Sequence, residues 1–225
     1  MSSFNPLGML RPSSLWGVYN NLRFVVEQAL ANVQTATIVK VIACSNDGGL
    51  SQVGTVDVQI LANQVSISAG GQMVGTPHLT MYGLPYLRVQ GGANAIIIDP
   101  QPGDIGIAVF ASRDITNVKS TKAQANPGSF RTHDFSDGMY IGGLLNGVPT
   151  QYIKFSDTGI EIVSPNNLRM TVGSASVEIM ESGEVSITAP TLTANIAGAA
   201  NITATGVVTI TGSDVSIAPL NGGTF

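Results

Sequence analysis

Charge is the scarcest thing in this chain: Asp, Glu, Lys and Arg make up only 11% of its 225 residues, and the formal net charge is −4. A sparse and weakly acidic charge set provides no electrostatic footprint for nucleic acid. Cysteine is nearly absent too. The lone Cys44 excludes an intrachain disulfide framework and lets the chain fold in a reducing cytoplasm. No run approaches the 18 consecutive apolar residues of a membrane-spanning helix. The first residues, MSSFNPLGMLRPSSLW, lack the basic-then-apolar order of a secretory signal. If the protein acts outside the cell that makes it, something other than secretion is expected to carry it there. What the chain does have is 44% hydrophobic residues, 26 Gly and 11 Pro, a composition of neither a disordered chain nor a helical bundle.

The chain is organised around its last third. From Tyr152 to about Leu220 it reads YIKFSDTG, IEIVSPNN, LRMTVGSA, SVEIMESGE, VSITAPT, LTANIAGAA, NITATGV, VTITGSD, VSIAPL. Most of these lines open with period-2 alternation and close in turn residues, the signature of half-buried strands. The alternating apolar positions are Ile160 and Ile162, Leu168, Met170 and Val172, Val177 and Ile179, Val185 and Ile187, Val208 and Ile210, Val215 and Ile217. A strand-and-corner repeat of roughly eight residues, running in one sense, is not expected to close into hairpins. It suits a β-helix. With two or three apolar positions per strand, one chain buries too little surface to offset its ordering entropy. Three chains wound together, each giving one face of a triangular prism, bury those positions on a common axis. Half of a β-sandwich and a monomeric β-solenoid are the alternatives.

Charge divides this region. Lys154, Asp157, Glu161, Arg169, Glu178, Glu181 and Glu184 lie before Val185, whereas only Asp214 follows it. The far end is therefore polar but uncharged, narrow and nearly free of long side chains. Its last residues, Leu220, Asn221, Gly222, Gly223, Thr224 and Phe225, do not read as another strand. They form the tip, closed either by folding across the axis or by a separate conical partner, the second being favoured for so glycine-rich a tail.

Upstream, residues 1–34 read as an irregular arm and a helix. Leu22, Val25, Val26, Ala29 and Leu30 stand at helical spacing from Trp16 to about Val33. Such a helix either packs on its own domain or attaches to a neighbouring subunit. Residues 35–121 carry strand and turn signals throughout: TATIVKVIAC, VGTVDVQILA, VSIS, LTMYG, YLRV, AIIID and IGIAVFA. The turns are expected at Asn46-Asp47-Gly48-Gly49 and Pro102-Gly103-Asp104. Short strands in this number and order suit a small closed barrel of OB type. Residues 122–151 read as a linker or collar, and residues 152–225 as the shaft with its tip. The whole is expected to be all-β: an N-terminal OB-type barrel followed by an intertwined trimeric β-helix, with a short N-terminal helix.

The segments TVDVQILANQV, YGLPYLRVQGGANAIIIDPQPGDIGIAVFASRDI and DGMYIGGLLNGVPTQYIKF resemble the phage baseplate central spike family, baseplate assembly protein V. The likeness runs from about Thr35 onward and is most specific from Tyr82 to Phe155. It implies a homotrimer on the axis of a contractile tail, held by hub or tail tube proteins through its N-terminal half. Its shaft would touch and cross the host outer membrane on contraction. Many such spikes end in a His-x-His pair that holds iron at the apex. This chain ends VSIAPLNGGTF, and its two histidines, His78 and His133, lie far upstream. A metal-tipped apex is therefore not expected. The alternative function is a receptor- or glycan-binding tail fibre or adhesin. A fibre calls for an aromatic-rich distal head, whereas only Phe225 follows Tyr152 and Phe155.

Catalytic motifs do not emerge. No G-x-S-x-G, H-E-x-x-H or GK[ST] loop occurs, and no pair of carboxylates is set as in a glycosidase. Ser112-Arg113-Asp114 and His133-Asp134 read as surface or turn residues. Gly91-Gly92 reads as a β-turn rather than a phosphate cradle, because no helix follows. Glu178, Glu181 and Glu184 read as a solvated acidic girdle. No cofactor, nucleic acid or enzymatic activity is expected.

Overall fold

Alternation between core and solvent dictates the strands, and the strands dictate two separate units. A computed structural model describes residues 17–31, 33–67 and 72–215, and the chain divides into Met1–Val148 and Pro149–Phe225.

The first unit opens with helix α1 (Val18–Ala31). Its apolar stripe is not laid on the strands that follow. Val18, Leu22, Val25, Val26 and Leu30 all remain more than half exposed, which corrects the reading of a helix packed on its own domain. Next come β1 (Ala36–Cys44), β2 (Thr55–Ile60), β3 (Gln64–Ile67), β4 (Met73–Thr76), β5 (Thr80–Pro85), β6 (Val89–Gly91), β7 (Asn94–Ile96) and β8 (Ile105–Phe110). A short helix α2 (Thr116–Thr121) and a 3-10 turn at Phe135–Asp137 lead to β9 (Gly138–Gly142).

Five of these strands form one antiparallel sheet in the order β5-β2-β1-β8-β9. The sheet curls until its edges meet. Tyr86 and Tyr140 form a parallel bridge, and the Leu87 amide donates to the Tyr140 carbonyl at 2.9 Å. Inside the curl lie Val39, Val41, Val56, Val58, Ile60, Met81, Leu84, Tyr86, Ala108, Phe110 and Tyr140. These are the inward alternates, so one face of each strand builds the core. Phe135 closes one end, packing edge-to-face on Phe110 with ring centroids 5.3 Å apart. Two hairpins stand off the sheet, β3–β4 and β6–β7. Gly48 and Gly103 hold positive φ in the two turns anticipated from Asp-Gly and Pro-Gly.

The second unit contains β10 (Tyr152–Ser156), β11 (Gly159–Val163), β12 (Leu168–Val172), β13 (Ala175–Ile179) and β14 (Val185–Thr188). Here the expectation of strands running in one sense fails. β10 and β11 form an antiparallel hairpin, and β12, β13 and β14 form an antiparallel meander. Glycines at the corners make this possible: Gly159, Gly173 and Gly183 all hold positive φ. Residues 189–215 contain no strand paired within the chain. The described residues are thus mostly β, with the 14-residue helix α1, a curled sheet and short antiparallel sheets.

Candidate functional site

The registers of the second unit sort its side chains into two opposed faces. In the β10–β11 hairpin Ile153 stands opposite Ile162, and Phe155 opposite Ile160. The other face carries the Lys154–Glu161 ion pair at 3.6 Å. In the meander, Leu168, Ile179 and Val185 form one cross-strand row, and Met170, Val177 and Ile187 the next, with Val172 beside Ala175. Behind them run Arg169, Glu178 and Ser186, then Thr171, Ser176 and Thr188.

Each sheet thus has a wholly apolar face and a polar one. The apolar faces are open: Phe155 is 75% exposed and Val172 83%. Ile153, Ile160, Ile162, Met170, Ile179, Val185 and Ile187 are exposed as well. An extended apolar surface of this kind marks an interaction site, whereas scattered single exposed aliphatics do not. The sequence-derived positions Ile160, Ile162, Met170, Val172, Val177, Ile179, Val185 and Ile187 all fall on these faces. Leu168, also an alternating position in the sequence, lies on them too, and Ile153 and Phe155 complete them. The signal of these last two was present in YIKFS as the same alternation. Val208, Ile210 and Val215 are exposed and lie outside any strand. Ile217 and the tip, Leu220 to Phe225, lie outside the described residues.

The first unit holds two buried ionic clusters that composition and motif did not reveal. In one, the Arg88 guanidinium donates to Asp99 at 2.6 Å, with both side chains almost fully buried. Tyr86 Oη donates to the same carboxylate oxygen, and the Gly48 amide reaches the other at 3.0 Å. Burial pushes the Asp99 carboxyl upward, but the hydrogen bonds from Tyr86 and Arg88 outweigh it and hold the group below its ordinary range. In the other, Arg131 bridges Asp114 at 2.9 Å and Asp137 at 2.7 Å. Asp114 also accepts from the Thr116 amide and the Ser129 hydroxyl. Hydrogen bonds from Thr116 are the foremost reason its carboxyl falls to about 2. Asp137 is held low chiefly by its hydrogen bond from Arg131.

Asp114 is therefore buried and paired, not the surface residue its sequence context suggested. Asp134 keeps a turn role, accepting from the Ser136 amide at 2.8 Å. His133 turns its Nδ1 toward the Gln34 carbonyl at 3.2 Å. These clusters brace loops: one ties the segment after β1 to the β6–β7 hairpin, the other ties the ends of the excursion between β8 and β9. Glu178 is a hydrogen-bond acceptor for Asn167 at 3.3 Å. Among the described residues no group of three or more His, Cys, Asp or Glu is placed to hold a metal ion. No helix among them is long and apolar enough to cross a membrane. The chain has no significant match among protein-family models or characterised proteins.

Proposed function

We propose that this chain is a structural, non-enzymatic protein: the homotrimeric central spike of a contractile phage tail, which pierces the host outer membrane when the sheath contracts. One observation carries the reading. Each sheet of the second unit presents an apolar face that its own chain leaves largely open. Three copies turned inward bury all of these faces around one axis and leave Lys154, Glu161, Arg169 and Glu178 outside. The stretch 189–215 supports the same arrangement. Its backbone donors and acceptors have no in-chain ladder, and strands from two other chains satisfy them in an intertwined β-helix.

The curled sheet is proposed to be an OB-type barrel. The order β5-β2-β1-β8-β9 and the parallel contact between its edge strands support this topology. The open apolar stripe of α1 suits docking of the N-terminal half on baseplate hub or tail tube proteins. The shaft beyond Val185 carries one charge, Asp214, which keeps the cost of desolvation at a bilayer low. A separate conical protein is proposed to close the C-terminal end, which lies outside the described residues.

Sedimentation equilibrium of the full chain tests the core of the proposal. The expected mass is three times 23.2 kDa. A folded, stable monomer would overturn it.

A further inference from the structure

Among the described residues glycine follows an Asp or Asn at Asp47-Gly48, Asp137-Gly138 and Asn146-Gly147. At such a step the main-chain nitrogen of the glycine reaches the side-chain carbonyl carbon before it, because no Cβ obstructs the approach. What separates these steps is whether the reacting groups are already engaged. The Gly48 amide donates to the buried Asp99 carboxylate at 3.0 Å. The Gly138 amide donates to the Phe135 carbonyl, and the fully buried Asp137 carboxylate is held by Arg131 at 2.7 Å. Closing a ring at either step breaks hydrogen bonds that a buried carboxylate accepts.

Asn146-Gly147 is open. Residues 143–150 are all exposed, Leu145 by 77% and Val148 by 94%. The Gly147 amide donates to nothing among the described residues, and no atom lies within 4 Å of where its Cβ would stand. The Asn146 side chain, by contrast, is held, because its Oδ1 accepts from the Ile105 amide at 2.7 Å. That donor sits on the oxygen where negative charge collects when Cγ is attacked. It stabilises the tetrahedral intermediate in the manner of an oxyanion-hole donor.

We infer that Asn146 is a site of spontaneous covalent modification, deamidating through a cyclic imide with Gly147. The Gly147 nitrogen forms a bond to Asn146 Cγ as its proton passes to solvent base. The Cγ–Nδ2 bond then breaks, and the side-chain nitrogen takes a proton from solvent and leaves as ammonia. Water opens the imide at one of its two carbonyls, releasing a proton and leaving aspartate or isoaspartate. No oxidant or reductant enters. Either product adds one negative charge to a formal net of −4, and isoaspartate also adds a methylene to the main chain between β9 and β10. Asp104 and Asn146 line the same cleft of about 310 Å³, so the new charge arises beside an existing carboxylate.

The test is peptide mapping by mass spectrometry of the full chain in mildly alkaline buffer, beside the synthetic peptide LLNGVPT. The one-dalton mass gain is expected at Asn146 at a rate within about three-fold of the peptide's, or above it, as befits an exposed segment. A more acidic species should grow in parallel on anion exchange. Gly147→Ala, whose new methyl meets no neighbouring atom, should keep the fold and slow the gain by about ten-fold or more. A rate at Asn146 below that window overturns the inference. So does an undiminished rate in Gly147→Ala, or isoaspartate forming at Asp47 or Asp137 as fast as at Asn146.

Discussion

Tyr140 lies directly over Gly106 on the adjacent strand. A Cβ at Gly106 would fall 2.5 Å from the Tyr140 ring and 2.5 Å from the Ile141 carbonyl. The ring fills the space that glycine leaves and so fixes how closely β8 and β9 approach at the point where the sheet curls. Gly106→Ala is therefore expected to destabilise the first unit by about 1–3 kcal/mol through overpacking. Denaturant titration reads this directly, and an unchanged midpoint would place the ring elsewhere.

Burial pushes the Tyr140 phenol up to about 12 from 10.0. The folded state disfavours the phenolate, so its contribution is complete below pH 10 and lost as the pH rises through about 12. Tyr140→Phe removes a buried hydroxyl without a protein partner among the described residues, which costs little at neutral pH. The variant should match the wild type at pH 7 and outlast it at about pH 11. Equal alkaline melting of the two proteins would contradict this.

The acid side belongs to Asp114. Its folded pKa of about 2 lies below its ordinary 3.8, so its contribution is full above pH 3.8 and disappears as the pH falls toward 2. Asp137 shifts in the same direction. Arg131→Met leaves both carboxylates without their cation and should lower Tm by roughly 5 °C or more at pH 7. It should also flatten the part of the acid loss of stability that comes from Asp137, whose carboxyl Arg131 chiefly holds low, while the part from Asp114, held low foremost by Thr116, persists. A variant as stable as the wild type, with the same acid profile, would remove the clasp from the account of this loop.

Ile179→Asp tests the second unit. Ile179 lies in the aliphatic row with Leu168 and Val185, and three carboxylates around one axis would repel and be poorly solvated. Trimer assembly should fail in sedimentation. Thr171→Asp, on the polar face beside Ser176, should assemble normally. If both variants trimerise alike, the aliphatic face does not point to the axis.

Removing residues 221–225 separates the two ways of closing the tip. With a docked conical partner the truncated trimer keeps its melting temperature and loses only infectivity. Early melting or end-to-end aggregation would instead make the tail its own cap. Elemental analysis of the intact trimer should find no stoichiometric iron.

The sequence carried the strands better than their partners. Val56, Val58 and Ile60 announced β2 by alternation alone, and all three are buried. The aliphatic positions of β11 to β14 were legible for the same reason. Pairing was less legible, because a two-residue corner such as Gly173-Ser174 serves a hairpin or a coil of a helix equally well until its φ is known. β4 was missed, since MVGT is short and interrupted by glycine. The ionic clusters were hidden by distance along the chain: Arg131 reaches Asp114 across 17 residues, and Arg88 reaches Asp99 across 11. No local pattern signals that two such charges will meet in a core.

In the trimer proposed above, the stretch 189–215, which has no strand paired within its own chain, would set the timing of assembly. Its residues would complete folding only when other chains arrive, so the last step would be a collision rather than a local closure. Its rate therefore depends on concentration, while the first unit, with its own core, folds at a rate independent of dilution. A newly made chain would wait half-finished, its C-terminal segment exposed to proteases until two others join it. Low expression or rapid dilution should enrich a protease-trimmed species that retains the first unit and lacks the end of the shaft.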